Sequence, residues 1–111
     1  MPNMRFDTAE AVRLAFVWAC ENIGTNASEL FCDKLDLFYE LMTDNGKRVR
    51  IEAPEMFRVM GKRLPHSVEP YLEKLQWFAE HDSHPVVRIH TSGAIRITKR
   101  VLEENNYAAN E

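Results

Sequence analysis

The chain has 111 residues, of which 45% are hydrophobic and 28% charged, with 14 Lys and Arg against 17 Asp and Glu. This length and composition predict a single globular domain over residues 1–111 with its own core, and they argue against disorder. The longest apolar run, Leu14 to Cys20, is far shorter than the roughly 20 residues that cross a bilayer, and the acidic N-terminal flank does not fit a secretory leader, so we expect a cytoplasmic protein with no membrane partner.

Charge is distributed unevenly along the chain. Residues 1–45 hold three cations against eight anions, a net of −5. Residues 46–102 hold eleven cations against six anions, a net of +5, and residues 103–111 add three carboxylates. This segregation points to an electrostatic partner for one of the segments.

The first predicted helix covers residues 8–23. Asp7, followed three residues later by Glu10, is typical of a capping box, and apolar residues then recur at helical spacing. Between residues 11 and 20 only Arg13 is polar, so this helix must be buried on more than one side. We expect it either at the centre of the fold or paired with its symmetry mate in a homodimer.

A second helix and a strand follow. Residues 28–43 repeat apolar side chains at helical spacing, which predicts a helix ending near residue 43. Asp44-Asn45-Gly46 is typical of a turn. Apolar and charged residues then alternate over 47–53, which predicts a half-buried strand.

Prolines and a serine define the next two helices. Pro54 suits the first position of a third helix, and Pro65 ends it. Ser67 caps a fourth helix over residues 67–80, which has one broad apolar stripe.

Residues 85–100 are predicted to form a β-hairpin. A three-residue loop, Thr91-Ser92-Gly93, keeps the apolar residues of both strands on one face. In this register Arg88 faces Arg96, although like charges directly opposite each other destabilise a strand pair. An anionic partner relieves that repulsion, and further arginines join the same face if the strand 47–53 belongs to the sheet.

From residue 28 onward the predicted order is helix, short strand, helix, turn, helix, strand, turn, strand. This order, with the stretch Val59-Met60-Gly61-Lys62-Arg63-Leu64-Pro65-His66-Ser67 at the join of two helices, resembles the winged helix-turn-helix family. The resemblance covers residues 28–101, with 1–27 as an N-terminal helical extension and 102–111 as an acidic tail. It implies an α+β fold in which the helix 67–80 lies in the major groove of DNA and the hairpin is the wing that meets phosphate or the minor groove.

The helix over 67–80 departs from that family. The side of this helix outside the apolar stripe holds a single cation, Lys74, and these other residues: Glu69, Glu73, Gln76, Trp77 and Glu80. Phosphate repels such a face, so the basic sheet and wing must make the nucleic-acid contacts, or else this helix faces a protein. Trp77 is then an interface anchor, or it packs beneath a neighbouring helix.

The candidate nucleic-acid-binding residues are side chains of the predicted sheet and of the inter-helix turn: Arg48, Arg50, Lys62, Arg63, His66, Arg88, His90, Arg96 and Arg100. The sheet arginines either make bidentate contacts to phosphate or form a solvated face that the acidic helices neutralise. The turn residues either anchor a phosphate or place favourable charge at a helix C-terminus.

No motif in the sequence indicates a reaction or a cofactor. There is no Gly-rich phosphate loop and no nucleophile elbow. His81 and His84, taken with Cys20 and Cys32, do not match the spacing of a common zinc site. We therefore expect no catalytic residue, no metal and no cofactor.

These observations lead to a hypothesis and an alternative. The hypothesis is a small non-enzymatic DNA-binding regulator of winged-helix type, dimeric through its first helix, whose basic wing and sheet contact phosphate. The alternative is a protein-binding inhibitor, immunity or accessory module of the kind that mobile elements encode. It uses the acidic helix face, whose residues are Glu69, Glu73, Trp77 and Glu80.

Overall fold

A computed structural model describes residues 8–109, and these residues form helices and the loops between them. The α-helices are α1 (Thr8–Asn26), α2 (Leu35–Leu41), α3 (Lys47–Arg63), α4 (Pro65–Val68), α5 (Leu72–His81) and α6 (Pro85–Ala109). Short 3-10 turns at Ser28–Phe31 and Glu69–Tyr71 precede α2 and α5. Residues 8–109 contain no strand, so the predicted α+β class and the resemblance to the winged helix-turn-helix family are wrong.

Helix α3 is the centre of the fold, and α1 and α6 lie parallel to it on its two sides. At the start of α3, the backbone N–H of Arg48 donates to Glu10 of α1, and Gly24 near the end of α1 packs against Met56. On the other side, His90 of α6 hydrogen-bonds the Ile51 carbonyl early in α3. Helices α2, α4 and α5 complete the core, which consists of buried side chains including Leu35, Phe38, Met42, Ala53, Met56, Phe57, Met60, Val68, Leu75 and Ala94.

The predicted strand over 47–53 is the first half of α3. Val49 and Ala53 are fully buried and four residues apart, so the helical period explains their burial as well as alternation does. Pro54 lies in the interior of this helix rather than at its first position. The missing N–H of a proline costs about 3 kcal/mol inside a helix, and burial of Ala53, Met56 and the rest of this face offsets that cost.

The predicted hairpin over 85–100 is instead the first two-thirds of α6. The buried residues repeat at i, i+4, i+7, i+8 and i+11 and are Val87, Thr91, Ala94, Ile95 and Thr98. Each buried threonine hydroxyl donates to the carbonyl four residues earlier, at 2.7 and 2.8 Å, so both are satisfied within the helix. The helix continues through residue 109 and includes most of the predicted acidic tail.

The remaining helix predictions are closer to the structure. The first helix is confirmed and extends three residues further, to Asn26. The regions predicted as the second and fourth helices are helical but broken, by residues 32–34 and by the 3-10 turn at Glu69–Tyr71. Asp7, the proposed cap of the first helix, lies outside the described residues.

Helix α1 is buried on one side only, contrary to the sequence prediction. Its buried residues are Leu14, Val17, Cys20 and Gly24, which face α3 and the core. The apolar residues on its other sides, including Val12 and Phe16, are exposed.

Candidate functional site

The arginine-rich sheet face predicted from the sequence does not exist, because the residues that were to build it lie on two helices. Arg48 and Arg50 are in α3, and each pairs with a carboxylate of this chain: Arg48 with Glu10 at 3.4 Å and Arg50 with Asp82 at 3.6 Å. Arg100, in α6, lies 3.9 Å from Glu104. Internal carboxylates therefore neutralise three of the five arginines expected to bind phosphate.

Arg88 and Arg96 lie together, but on one helix rather than across a hairpin. They line a shallow depression of about 350 Å³ on the solvent side of α6, together with Ser92 and Ile89. Arg88 donates to the Asp82 carbonyl at 2.5 Å. No carboxylate in the described part of the chain forms an ion pair with either guanidinium.

The other candidate cations are scattered. His90 uses its ring Nδ1 in a 2.7 Å hydrogen bond to the Ile51 carbonyl, which ties α6 to α3. Lys62 and Arg63 end α3 and border a cavity of about 220 Å³ together with Arg58. His66, in α4, lies 3.1 Å from Glu69 and is mostly exposed.

In contrast, the structure gathers the residues of the alternative site on one surface, which we call the α5 face: Glu69, Glu73, Trp77 and Glu80. All four are exposed, at intervals of four, four and three residues along a continuous helical path. The Trp77 side chain is 56% exposed and its ring stacks on His81, with centroids 4.7 Å apart. Trp77 thus presents a large exposed apolar surface on the side of α5 that also carries these carboxylates.

The α5 face continues onto α2 through a cluster of aromatic rings. Tyr39 of α2 lies 6.0 Å from Tyr71 and 5.7 Å from Phe78 of α5, measured between ring centroids. The Tyr71 hydroxyl donates to Asp36, and burial together with this carboxylate raises the pKa of Tyr71 to about 12. Lys74 lies over the Tyr39 ring, 5.2 Å from its centroid, so the one cation of α5 is engaged with aromatic rings.

The sequence did not predict the pair of carboxyl groups, Glu21 of α1 and Glu52 of α3, that lies between these two helices. Burial, together with the neighbouring carboxyl groups of Glu52 and Glu55, raises the pKa of Glu21 from 4.5 to about 9. The Glu21 carboxyl is therefore protonated at neutral pH. Only the apolar surroundings of Glu21 in the sequence signalled this burial, since its partner is 31 residues away.

The histidines and cysteines lie in separate places. His81 hydrogen-bonds the Trp77 carbonyl at 2.9 Å, and His84 accepts from the N–H of Val86 at 3.1 Å. Cys20 is buried and Cys32 is exposed. Over residues 8–109, no group of three or more His, Cys, Asp or Glu side chains is placed to hold a metal ion.

Comparison of the chain with family models, curated proteins and solved structures gave no match. No helix between residues 8 and 109 combines the length and apolar character that a membrane crossing requires.

Proposed function

We propose that this protein is a non-enzymatic protein-binding module of the cytoplasm, an inhibitor or accessory protein that binds its partner through the α5 face. The exposed indole of Trp77, on the same side of α5 as the carboxylates of Glu73 and Glu80, carries the proposal. Tryptophan is among the residues most enriched at binding hot spots, and a polar rim around such an anchor is the usual organisation of an interface.

The charge of the α5 face defines the partner. Glu73 and Glu80 lie about one helical turn from Trp77 and Glu69 about two turns, whereas Lys74 is turned toward Tyr39. Asp36 and Glu40 of α2 extend the acidic surface. The complementary partner is therefore a protein with a basic surface around an apolar pocket.

The experiment is capture of partners from a lysate of the native host, with nuclease added to half of the sample. We expect Trp77→Ala to weaken capture of a specific protein about 30-fold, as loss of 2 kcal/mol at a hot spot predicts. Trp18→Ala is the matched control, because Trp18 is equally exposed but lies on α1. Capture that is unchanged in Trp77→Ala, or lost equally in both variants, refutes the proposal.

A second candidate function is binding of nucleic acid through α6, and a separate observation favours it. The first eighteen residues of α6 contain no acidic side chain but hold Arg88, Arg96 and Lys99, of which Arg96 and Lys99 are exposed and Arg88 is half-buried. Arginine and lysine arranged along one helix face match a phosphate backbone. This interface uses no wing and no sheet.

A random-sequence DNA duplex of about 20 base pairs, titrated at several salt concentrations, tests the second candidate. The double variant Arg88→Ala/Arg96→Ala is expected to bind about tenfold more weakly and to lower the salt slope by about two. Lys34→Ala/Lys47→Ala removes the same charge from exposed positions elsewhere and is the control. Equal weakening in both double variants contradicts a site on α6.

A further inference from the structure

Helix α1 carries an apolar stripe whose large side chains are about half exposed or more. Val12, Phe16, Ala19 and Ile23 follow one another at i, i+4, i+7 and i+11, the spacing of a helix–helix seam. Val12 is 63% exposed, Phe16 45% and Ile23 48%. We call these four residues the α1 stripe.

The exposed side of α1 is also free of charge. The helix has three charged residues, Glu10, Arg13 and Glu21, and all three are engaged with α3 or the loop before it. The stripe is therefore flanked by small or uncharged side chains such as Ala15 and Asn22. A solvent face with this composition is typical of an interface and not of an ordinary helix surface.

The apolar surface extends beyond α1. Phe16 stacks on Phe38 with ring centroids 6.2 Å apart, and Leu37, the neighbour of Phe38 in α2, is 41% exposed. Leu30 in the preceding 3-10 turn is 58% exposed. The stripe alone is about 16 Å long, and the two exposed leucines extend the apolar surface beyond α1.

We propose that the α1 stripe binds a second copy of this chain, with the two α1 helices antiparallel across a two-fold axis. The four stripe residues are symmetric about the midpoint between Val17 and Trp18. An antiparallel pair centred there places Val12 opposite Ile23 of the partner subunit and Phe16 opposite Ala19 of the partner subunit. Each large ring meets a small residue, and each contact occurs twice.

The parallel arrangement fits worse. It sets Phe16 against its own copy and Ala19 against its own copy, which leaves an overpacked layer beside a gap. The antiparallel pair also aligns the two helix dipoles in the favourable sense. No charged side chain of α1 comes to lie across the seam from a like charge.

Sedimentation or light scattering over a concentration series tests the dimer. We expect a dimer for the native chain, and a monomer for Ala19→Glu, in which a charged side chain meets Phe16 of the partner subunit. Because Ala19 is exposed in the monomer, this change leaves the fold intact, as circular dichroism will verify. Trp18→Glu is the control: it adds the same charge about 100° away around the helix and is expected to stay dimeric.

Cross-linking with a short bismaleimide tests the register. Val12→Cys and Ile23→Cys are made separately, each with the exposed Cys32 replaced by serine. The antiparallel pair predicts cross-linking only when the two variants are mixed, since each position lies about 16 Å along the axis from its own copy. A native chain that is monomeric at roughly 100 μM, an Ala19→Glu dimer, or cross-linking of Val12→Cys with itself each overturns the proposal.

This interface is independent of the α5 face. Ala19→Glu is expected to leave partner capture through Trp77 unchanged at equal protein concentration, and Trp77→Ala is expected to leave the dimer unchanged. Failure of one proposal is therefore distinguishable from failure of the other.

Discussion

The close approach of α3 and α6 at Gly61 leads to a prediction with a defined sign. A methyl group built on Gly61 overlaps Oγ1 of Thr98 and lies 3.1 Å from its Cβ. That hydroxyl is buried and donates to the Ala94 carbonyl at 2.8 Å. Gly61→Ala therefore forces Thr98 to rotate and lose this bond, or forces the two helices apart.

The magnitude follows from three contributions. Overpacking of a buried contact costs about 1 to 3 kcal/mol, and a buried hydroxyl without its partner costs about 1 to 3 kcal/mol. Alanine regains about 1 kcal/mol over glycine in a helix. We expect a net loss of about 2 to 3 kcal/mol in the free energy of unfolding, which is a fall in Tm of roughly 10 °C for a domain of this size.

Chemical denaturation followed by circular dichroism measures this loss, and two further variants isolate its cause. Thr98→Ala removes the overlapping oxygen, so Gly61→Ala/Thr98→Ala is expected to be more stable than the sum of the two single changes by about 2 kcal/mol. Gly93→Ala is the control: it is also inside a helix but has open space around it, and a gain of about 0.5 to 1 kcal/mol is expected. If Gly61→Ala stabilises the chain as Gly93→Ala does, or if Thr98→Ala gives no rescue, the α3–α6 packing described above is wrong.

Three further predictions concern ionisable and reactive groups. The pKa of Glu21 is higher in the folded than in the unfolded state, so Glu21 contributes to the free energy of unfolding at low pH, and this contribution is lost as the pH rises from 4.5 toward 9. Glu21→Gln is therefore expected to make the free energy of unfolding less dependent on pH over this range and to raise it by about 1 to 2 kcal/mol at pH 8. Urea unfolding at several pH values measures this. Arg13 makes a bidentate ion pair with Asp44, with N···O distances of 2.7 and 2.9 Å; burial raises the pKa of Asp44, but the hydrogen bonds from Arg13 and from the Gly46 N–H outweigh it, so the pKa is lowered. Arg13→Lys cannot make the bidentate pair and is expected to lower the free energy of unfolding by about 1 kcal/mol at pH 7. An unchanged free energy of unfolding contradicts the pairing. Burial and the neighbouring Glu21 raise the pKa of Cys20, whereas Cys32 is exposed. Mass spectrometry after brief alkylation is therefore expected to show one modified thiol, at Cys32. Equal labelling of both cysteines contradicts this.

Sequence periodicity was sufficient for α1 but not for α3 or α6. In α1 the helical spacing has no competing alternation, and the prediction holds. In α3, the alternation of charged and aliphatic residues over 47–53 fits a strand and a helix equally well, and Pro54 suits the first position of a helix better than an interior one. Burial of the whole α3 face decides for the helix.

The prediction of a hairpin in place of α6 was wrong for a related reason. Its β-branched residues and the Thr91-Ser92-Gly93 stretch indicate strands and a turn locally. The sequence does not reveal that Thr91 and Thr98 satisfy their hydroxyls within a helix, which allows them to face the core. The α5 face was predictable because every residue of it lies in one short segment, whereas the Glu21–Glu52 pair depends on packing between distant segments.

The three engaged charges of α1 have a mechanical consequence. Glu10 and Arg13 near the start of the helix and Glu21 near its end fix its roll about its own axis at both ends. The helix is therefore unable to turn its apolar side inward, and the monomer is fully folded with that side in water. In the proposed dimer, association follows folding as a separate, bimolecular step, so its extent is expected to depend on protein concentration whereas the secondary structure does not.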